Sequence, residues 1–471
     1  MSIVSILVLS LAALVIGVIP DKRFRDLFIL AFSAICLYLL QPALPIRYLD
    51  YWLPTFIVLS SILTWIVVTP APDRNWRENS PAILILVFVF LFFGLSRFFT
   101  FPDLFHIPSS PPFEQPLVVL ATTAVLLLIL SRLKPDGKTV IFLIFFWIAL
   151  LVVLKTPYLS EKASYSLRLL MGQDPTLASP LDIRWLGISY ITFRIIHILR
   201  DKQTRRYSQT TLVEFVCYVI FFPAISAGPI DRIERFTKDF RLFKPLDASN
   251  LLEGGKRIVS GLFFKFVIAD SLSLIALNQT NAEQIHQPGW MAVVLLAYSF
   301  RIYFDFSGYT DIAIGMGRWM GFRLPENFNH PYLKTSLVQF WNCWHMTLTQ
   351  FVRAYFFNPL TRALRSSTKP LPVTLVVLIT QVATMVIIGL WHGVTVNFII
   401  WAVWHGLGLF INNRWNDFAR RKIAWYTSSG WWAWPLRVTG VLLTFSYVTI
   451  GWIWFAVPDF PTAWNVFITL F

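Results

Sequence analysis

Two histidines stand in Trp-His steps inside otherwise apolar sequence: His345 in WNCWHMTLTQFVRAYFFNPL and His392 in IIGLWHGVTVNFIIWAVWHG, the stretch that closes with His405. An ionisable side chain in a segment fit for lipid is costly, so its presence points to function. Imidazole titrates near physiological pH and suits two tasks, taking a proton from a hydroxyl or ligating a metal. The histidine spacings, 47 and 13 residues, match no standard ligand motif, and the Trp-His segments hold no companion carboxylate. Proton transfer is therefore the expected chemistry, with no metal.

The segment Ser336–Phe357 has to position the first histidine. Placed on one helix, Gln339, Asn342, His345, Thr349 and Arg353 recur at steps of three and four and share a face, while Trp344, Leu348, Phe351 and Tyr355 cover another. Such a helix lies at the membrane interface or lines a wet cavity. The second histidine sits in a short break between two apolar runs, Val373–Trp391 and Val396–Ile411, the place for a site reached from a cavity. His405, eight residues beyond Asn397 and four beyond Trp401, is the histidine expected to pack. Upstream, Ala313, Gly317 and Gly321 recur at the four-residue spacing that lets membrane helices approach closely, and Arg301 and Asp305 are spaced to pair within a helix.

The 471 residues are 56% hydrophobic and only 14% charged, and mean hydropathy is +0.61, which excludes a soluble domain. Apolar runs suited to a hydrocarbon core of roughly 30 Å recur throughout: Val4–Ile19, Leu27–Leu40, Trp52–Val68, Ala82–Phe99, Pro116–Leu130, Val140–Leu154, Trp185–Leu199, Leu212–Ala227, Gly261–Leu277, Trp290–Ile314, Val373–Trp391, Val396–Ile411 and Val438–Val457. The expected fold is all-α and polytopic, with eleven to thirteen membrane helices or re-entrant segments. A net charge of +15 would suggest nucleic acid in a soluble protein, but here the basic residues cluster between apolar runs, as in cytoplasmic loops facing anionic headgroups. Clusters follow the first run (Lys22, Arg23, Arg25), the third (Arg74, Arg77), the fifth (Arg132, Lys134, Lys138) and the seventh (Arg200, Lys202, Arg205, Arg206). That alternation predicts a multi-pass protein of the cell membrane with its N-terminus outside. The first run reads as a retained span, having no basic residue before it and no small-residue cleavage site. Cys36, Cys217 and Cys343 are scattered and read as core residues.

Residues 1–184 read as scaffold, without a polar constellation; within them Tyr165–Met171 reads as a short interfacial helix on the outer side. From Trp185 small and polar residues interrupt the apolar runs, and 185–456 reads as the catalytic core of a single membrane domain spanning 1–471. Pro223, Gly228 and Pro229 mark a broken segment, and the basic cluster Arg232–Lys244 falls where strict alternation would place the chain outside. Leu212–Ala227 is thus expected to be an incomplete crossing.

The blocks GISYITF, FFPAISAGPIDR, GLFFKFVIAD, YFDFSGYTDIAIGMGRWMGFRLPENFNHPY, WNCWHMTLTQFVRAYFFNPL and LWHGVTVNFIIWAVWHG, in this order from Gly187 to Gly406, resemble the membrane-bound O-acyltransferase superfamily. The closest likeness is to its bacterial branch of alginate O-acetyltransferase and the D-alanyl transfer protein of the teichoic-acid system. The resemblance implies a ring of tilted helices around a central tunnel, with His392 matching the active-site histidine and His345 the second histidine facing the same tunnel. Gln339, Asn342, Thr349 and Arg353 of the polar stripe, with Trp391, Asn397 and His405 near the second histidine, are the candidate tunnel or substrate-binding residues. It implies an acyl thioester donor, acetyl-CoA or an acyl-carrier protein. The implied acceptor is a hydroxyl of an extracellular polysaccharide, wall polymer or secreted or membrane-anchored esterase-like partner, with membrane lipid around and no nucleic acid. The chain departs from the family pattern at Asn342-Cys343, Arg353-Ala354 and Trp454-Phe455-Ala456, where charged residues are usual.

Acyl transfer from a thioester needs a base for the acceptor hydroxyl and a group to hold the developing oxyanion. With no Gly-x-Ser-x-Gly elbow in the sequence, direct attack is simpler than an acyl-serine intermediate. His392 is expected as general base and His345 as orienting or oxyanion-stabilising partner, with Asn342 beside it. Acetyl is the expected group, and D-alanyl transfer to teichoic acids the alternative. A transporter or flippase without chemistry is the alternative of another class, set against the lack of an evident internal repeat.

Overall fold

The computed structural model describes residues 2–99, 106–132, 137–366, 369, 371–423 and 433–471. Lys134, counted above in a basic connector, lies outside the described residues. Those residues are helical throughout, with no strand among them. Six helices are long and apolar enough to cross a membrane: Leu49–Val68, Trp76–Gly94, Gly137–Lys155, Pro288–Trp319, Val373–His392 and Trp434–Ala456. Ile3–Gly17, Glu114–Leu130 and Leu212–Ala224 are apolar but shorter. The chain is a multi-pass membrane protein, and it divides into two compact units, Met1–Ser260 with Thr310–Pro325, and Gly261–Tyr309 with Glu326–Phe471.

In the first unit, aromatic side chains and buried hydroxyls replace the uniform aliphatic surface of a lipid-facing helix. Tyr38 stacks on Phe93 at 4.6 Å and shares a 2.8 Å hydrogen bond with Thr55, while Trp65 donates to the Thr210 carbonyl at 2.9 Å. The helix Leu212–Ile220 opens on a capping box between Thr211 and Glu214 and is nine residues long. At 1.5 Å per residue it covers about 14 Å, too little for a crossing. Buried Arg194 explains how the chain can break there: its guanidinium donates to the carbonyls of Val219 at 2.8 Å and Ala224 at 2.6 Å, meeting acceptors the helix no longer satisfies. The expected interfacial helix is longer than its sequence signature, running Pro157–Leu170. Its inner face carries Ser164 and Arg168, which donate to Asp182 at 2.6 and 2.8 Å. Burial opposes ionisation of Asp182, but these bonds and the Ser179 N–H outweigh it and hold the carboxyl below its ordinary range.

Two local expectations are corrected. Close approach on the helix Pro288–Trp319 occurs at Gly308 and Gly315, where a Cβ would stand 2.7 Å from the Gly261 carbonyl oxygen and 2.6 Å from that of Gly254. The Ala313–Gly317–Gly321 series is not the contact line, and Gly321 falls beyond the helix end at a φ of +85°. Asp305 pairs with Lys265 of the π-helical turn Phe263–Ala269, not with Arg301. The wider π turn lies beside the helix that brings Asp305, so a partner from another segment supersedes the in-helix pairing.

Candidate functional site

The helices Val373–His392 and Val396–Lys422 lie in the second unit, joined by Gly393, Val394 and Thr395. A Cβ at Gly389 would come within 2.5 Å of the Phe398 carbonyl oxygen, so only glycine lets the two backbones meet one turn before His392. Reciprocal bonds then fix the second helix to Ala433–Gly451: the Trp404 indole donates to the Tyr447 carbonyl at 3.1 Å, and the Tyr447 hydroxyl to the Trp404 carbonyl at 2.6 Å. His392 is packed among Phe398, Trp401 and Phe455, with ring centroids 5.8, 5.8 and 4.7 Å away.

His345 is placed differently from its sequence expectation. The segment is not one helix but Leu337–Cys343, a break, Met346–Val352, then the π turn Arg353–Phe357. His345 lies in the break with φ +43° and ψ +53°, the left-handed region. Asn327 explains the break. Its carbonyl accepts from the Met346 N–H at 2.9 Å, and its side-chain oxygen accepts from the Thr347 N–H at 3.2 Å and hydroxyl at 2.9 Å, replacing intrahelical bonds. The same oxygen lies 3.0 Å from His345 Nδ1. An oxygen already accepting an N–H is an acceptor toward the imidazole too, so Nδ1 carries the proton and Nε2 of the neutral ring carries the lone pair. Asn327, wholly buried, was not singled out in the sequence; the signal was an amide in the LPENFNHPY block just ahead of the polar stripe.

His345 and His392 line one cavity of about 60 Å³, with Thr349, Phe306, Leu348, Ile388, Trp401 and Phe455 among its walls. Trp391 stands beside both, its ring centroid 6.1 Å from His345 and 4.4 Å from His392. Thr349, Trp341 and Ile388 also line a larger cavity of about 280 Å³ that holds Asn342, Arg353, Gln381, Thr384 and Asn413. There Arg353 donates to the Asn342 side-chain oxygen at 2.6 Å. Three of the residues drawn from the sequence lie elsewhere. Gln339, on the same helix as Asn342, turns back to accept from Thr335. Asn397 donates to the carbonyls of Val457 at 2.7 Å and Pro458 at 3.2 Å. His405 is fully buried behind the cavity wall, 5.1 Å from the Trp341 ring and 5.0 Å from that of Trp401, and neither ring nitrogen has a hydrogen-bond partner among the described residues.

The metal-ligating side chains that come together among the described residues are His197, Asp201 and Glu234, in the first unit. His197 Nε2 lies 3.4 Å from an Asp201 carboxylate oxygen, 3.8 Å from one of Glu234 and 3.4 Å from the Ile233 nitrogen.

A pair of histidines in an aromatic cavity, one held in a single tautomer, agrees with what a comparison of the whole sequence finds. Residues 138–451 match the model of MBOAT, the membrane-bound O-acyltransferase family, and the chain belongs to that family. Among individual proteins it is 29% identical over 303 residues to the "Teichoic acid D-alanyltransferase" of Streptococcus thermophilus, covering 61% of this chain and 72% of the relative. It is 33% identical over 287 residues to the "Probable alginate O-acetylase AlgI" of Pseudomonas aeruginosa, covering 61% of this chain and 51% of that one. A "Peptidoglycan O-acetyltransferase" of Helicobacter pylori is 32% identical over 274 residues, covering 57% and 48%. The chain thus spans about half the length of the two acetylating relatives.

Proposed function

We propose that the protein transfers an acyl group, acetyl in the first place, from a cytoplasmic thioester donor to a hydroxyl presented on the outer side of the cell membrane. The observation that carries this reading is the shared cavity of His345 and His392. His392 acts as general base on the acceptor hydroxyl, which attacks the thioester carbonyl directly; the C–O bond forms, the C–S bond breaks, and the proton passes to the departing thiolate. Neutral His345, with its lone pair on Nε2, can accept a hydrogen bond but not donate one from that nitrogen. Of its two expected roles, orienting the acceptor is therefore favoured over holding an oxyanion.

The direction of supply follows from charge. The larger cavity runs along Gln381, Thr384 and Ile388 and past Leu409 and Asn413. This leads away from His392 toward the helix ends that carry Arg362, Arg365, Arg414, Arg420, Arg421 and Lys422. A basic end belongs in the cytoplasm, where phosphate-bearing thioester carriers are found, and Arg353 within the cavity is the charge such a carrier would meet. The positive-inside alternation along the sequence supports an N-terminus outside, and the family resemblance adds a ring of helices around a central tunnel.

The acceptor classes come from the relatives' names, an exopolysaccharide or wall polymer; that it is reached directly or through an esterase-like partner is what the family resemblance implies. Acetyl is preferred over D-alanyl because the small histidine cavity is walled by aromatic and aliphatic groups with no carboxylate for an α-ammonium. The test is acyl release by the purified protein from acetyl-CoA and from acetyl- and D-alanyl-loaded carrier protein. Turnover of the D-alanyl carrier alone would replace acetyl as the group carried, and turnover of none of the three would defeat the enzymatic reading.

A further inference from the structure

The first unit contains a second cavity, of about 140 Å³, between the helices Lys22–Leu39, Leu49–Val68, Trp76–Gly94 and Glu114–Arg132. Its walls are Val58, Ile62, Ile83, Val87, Leu120, Leu127 and similar side chains. The hydroxyls of Tyr38 and Thr55 on its wall are already paired, to each other at 2.8 Å and from Thr55 to the Tyr51 carbonyl at 2.9 Å, so they leave little to hold water. An apolar cavity without polar partners stays dry and takes hydrocarbon.

Shape narrows the occupant. Lining residues on one helix run from Trp76 to Phe90, fourteen steps and so about 21 Å along the axis, a little more than the roughly 15 Å depth of one leaflet's hydrocarbon. Trp76 at one end is 43% exposed, as suits an indole at the membrane–water boundary, and Arg77 beside it is exposed, with no ion pair among the described residues. The Glu114–Arg132 helix supplies an independent observation. From Leu117 to Leu130 not one residue is fully buried, and the face turned to the cavity (Val119, Leu120, Thr123, Leu127) is the more covered one but still partly exposed. Apolar side chains lining a cavity gain dispersion contacts from a hydrocarbon placed between the helix and its neighbours.

We propose that this cavity binds one fatty-acyl chain of a membrane phospholipid, with the headgroup at the Trp76–Arg77 end. The lipid is a structural ligand that completes the packing of the Glu114–Arg132 helix, separate from the acyl chemistry.

The test uses the full-length protein purified in mild detergent. Native mass spectrometry should find one phospholipid retained through delipidation, and a phospholipid with a diazirine at mid-chain should crosslink to Val58–Ile62, Ile83–Val87 and Leu120–Leu127. Val87→Phe and Thr123→Phe, which fill the space, should abolish retention and the inward crosslinks, whereas Leu126→Ala on the exposed side of the same helix should leave both unchanged. Monodispersity of each variant separates loss of lipid from loss of fold. Undiminished retention in the monodisperse filled variants overturns the proposal. So do crosslinks confined to exposed positions such as Leu84, Phe88 and Leu128, or exchange of the bound species for detergent alone. Vesicles of phosphatidylglycerol and phosphatidylcholine distinguish a headgroup held by Arg77, which favours the anionic lipid in wild type but not in Arg77→Gln, from a site that recognises the chain only.

Discussion

The two units each enclose a cavity walled by aromatic and branched aliphatic side chains, and they differ in what the polar groups at those walls are doing. In the first unit the hydroxyls of Tyr38 and Thr55 on the wall bond each other. In the second, the Asn327 side-chain oxygen accepts from His345 Nδ1, and His345 lines a cavity shared with His392. Hydrophobic lining is common to both cavities, and the imidazoles at the wall mark out the second.

The sharpest way to break that contrast is at His392. His392→Ala should lower acyl transfer by roughly 10²–10⁴-fold, the usual contribution of a general base. The protein should stay monodisperse, since removing a half-buried polar ring from a membrane site relieves a desolvation cost. Near-normal turnover in the folded variant would falsify the assignment.

Next comes the support of His345. Asn327→Ala removes three hydrogen-bond acceptances by one oxygen. Costs of about 1–3 kcal/mol for a buried unmet partner correspond to roughly 5- to 150-fold in rate if orientation matters. Asn327→Asp keeps the acceptors and adds charge beside the imidazole, so it should recover turnover and raise the pH at which the limiting base titrates. Equal pH–rate profiles for wild type and the Asp variant would mean that His345 takes no part in proton handling.

His405 offers a smaller effect in the opposite sense. Truncating a large buried side chain costs about 2–5 kcal/mol, but here it also removes an imidazole with no partner, worth about 1–3 kcal/mol in return. His405→Ala should shift the thermal transition only modestly and keep substantial turnover. A collapse of activity in this variant alone would move the active site to its helix.

The smallest effect is expected away from both cavities. Because the folded protein holds the Asp182 carboxyl below its ordinary value, its stabilising contribution is fully present above the unfolded pKa. That contribution is lost only as pH falls through the lower, folded value. Melting curves of wild type and Asp182→Asn should differ by a constant amount from pH 7 down to about 5 and converge only in stronger acid. A gap that closes between pH 7 and 6 would show that another group sets it.

Much of this was legible in the sequence. Hydropathy gives an all-helical membrane chain, the prolines and glycines around Pro223 give the broken segment, and the two Trp-His steps give the histidines that meet. What was not legible depends on partners distant in sequence. Three- and four-residue periodicity assumes an unbroken helix, and Asn327, eighteen residues ahead of His345, breaks it. Gln339 leaves the stripe because Thr335 takes its side chain, while Asn342, Thr349 and Arg353 remain on cavity walls. The pairing of Asp305 with Lys265, forty residues away, escaped for the same reason: local spacing cannot report a competitor supplied by another segment.

The left-handed backbone at His345 carries a consequence of its own. A side chain there costs of order 1–2 kcal/mol that glycine does not incur, so His345→Gly vacates the imidazole's place while easing the backbone, unlike glycine inside the helix at His392. Position 345 is thus suited to chemical complementation. Free imidazole added to His345→Gly could occupy the vacated space against Asn327, and a panel of substituted imidazoles of graded basicity would then read out, as the slope of rate against basicity, how far a proton moves at that nitrogen.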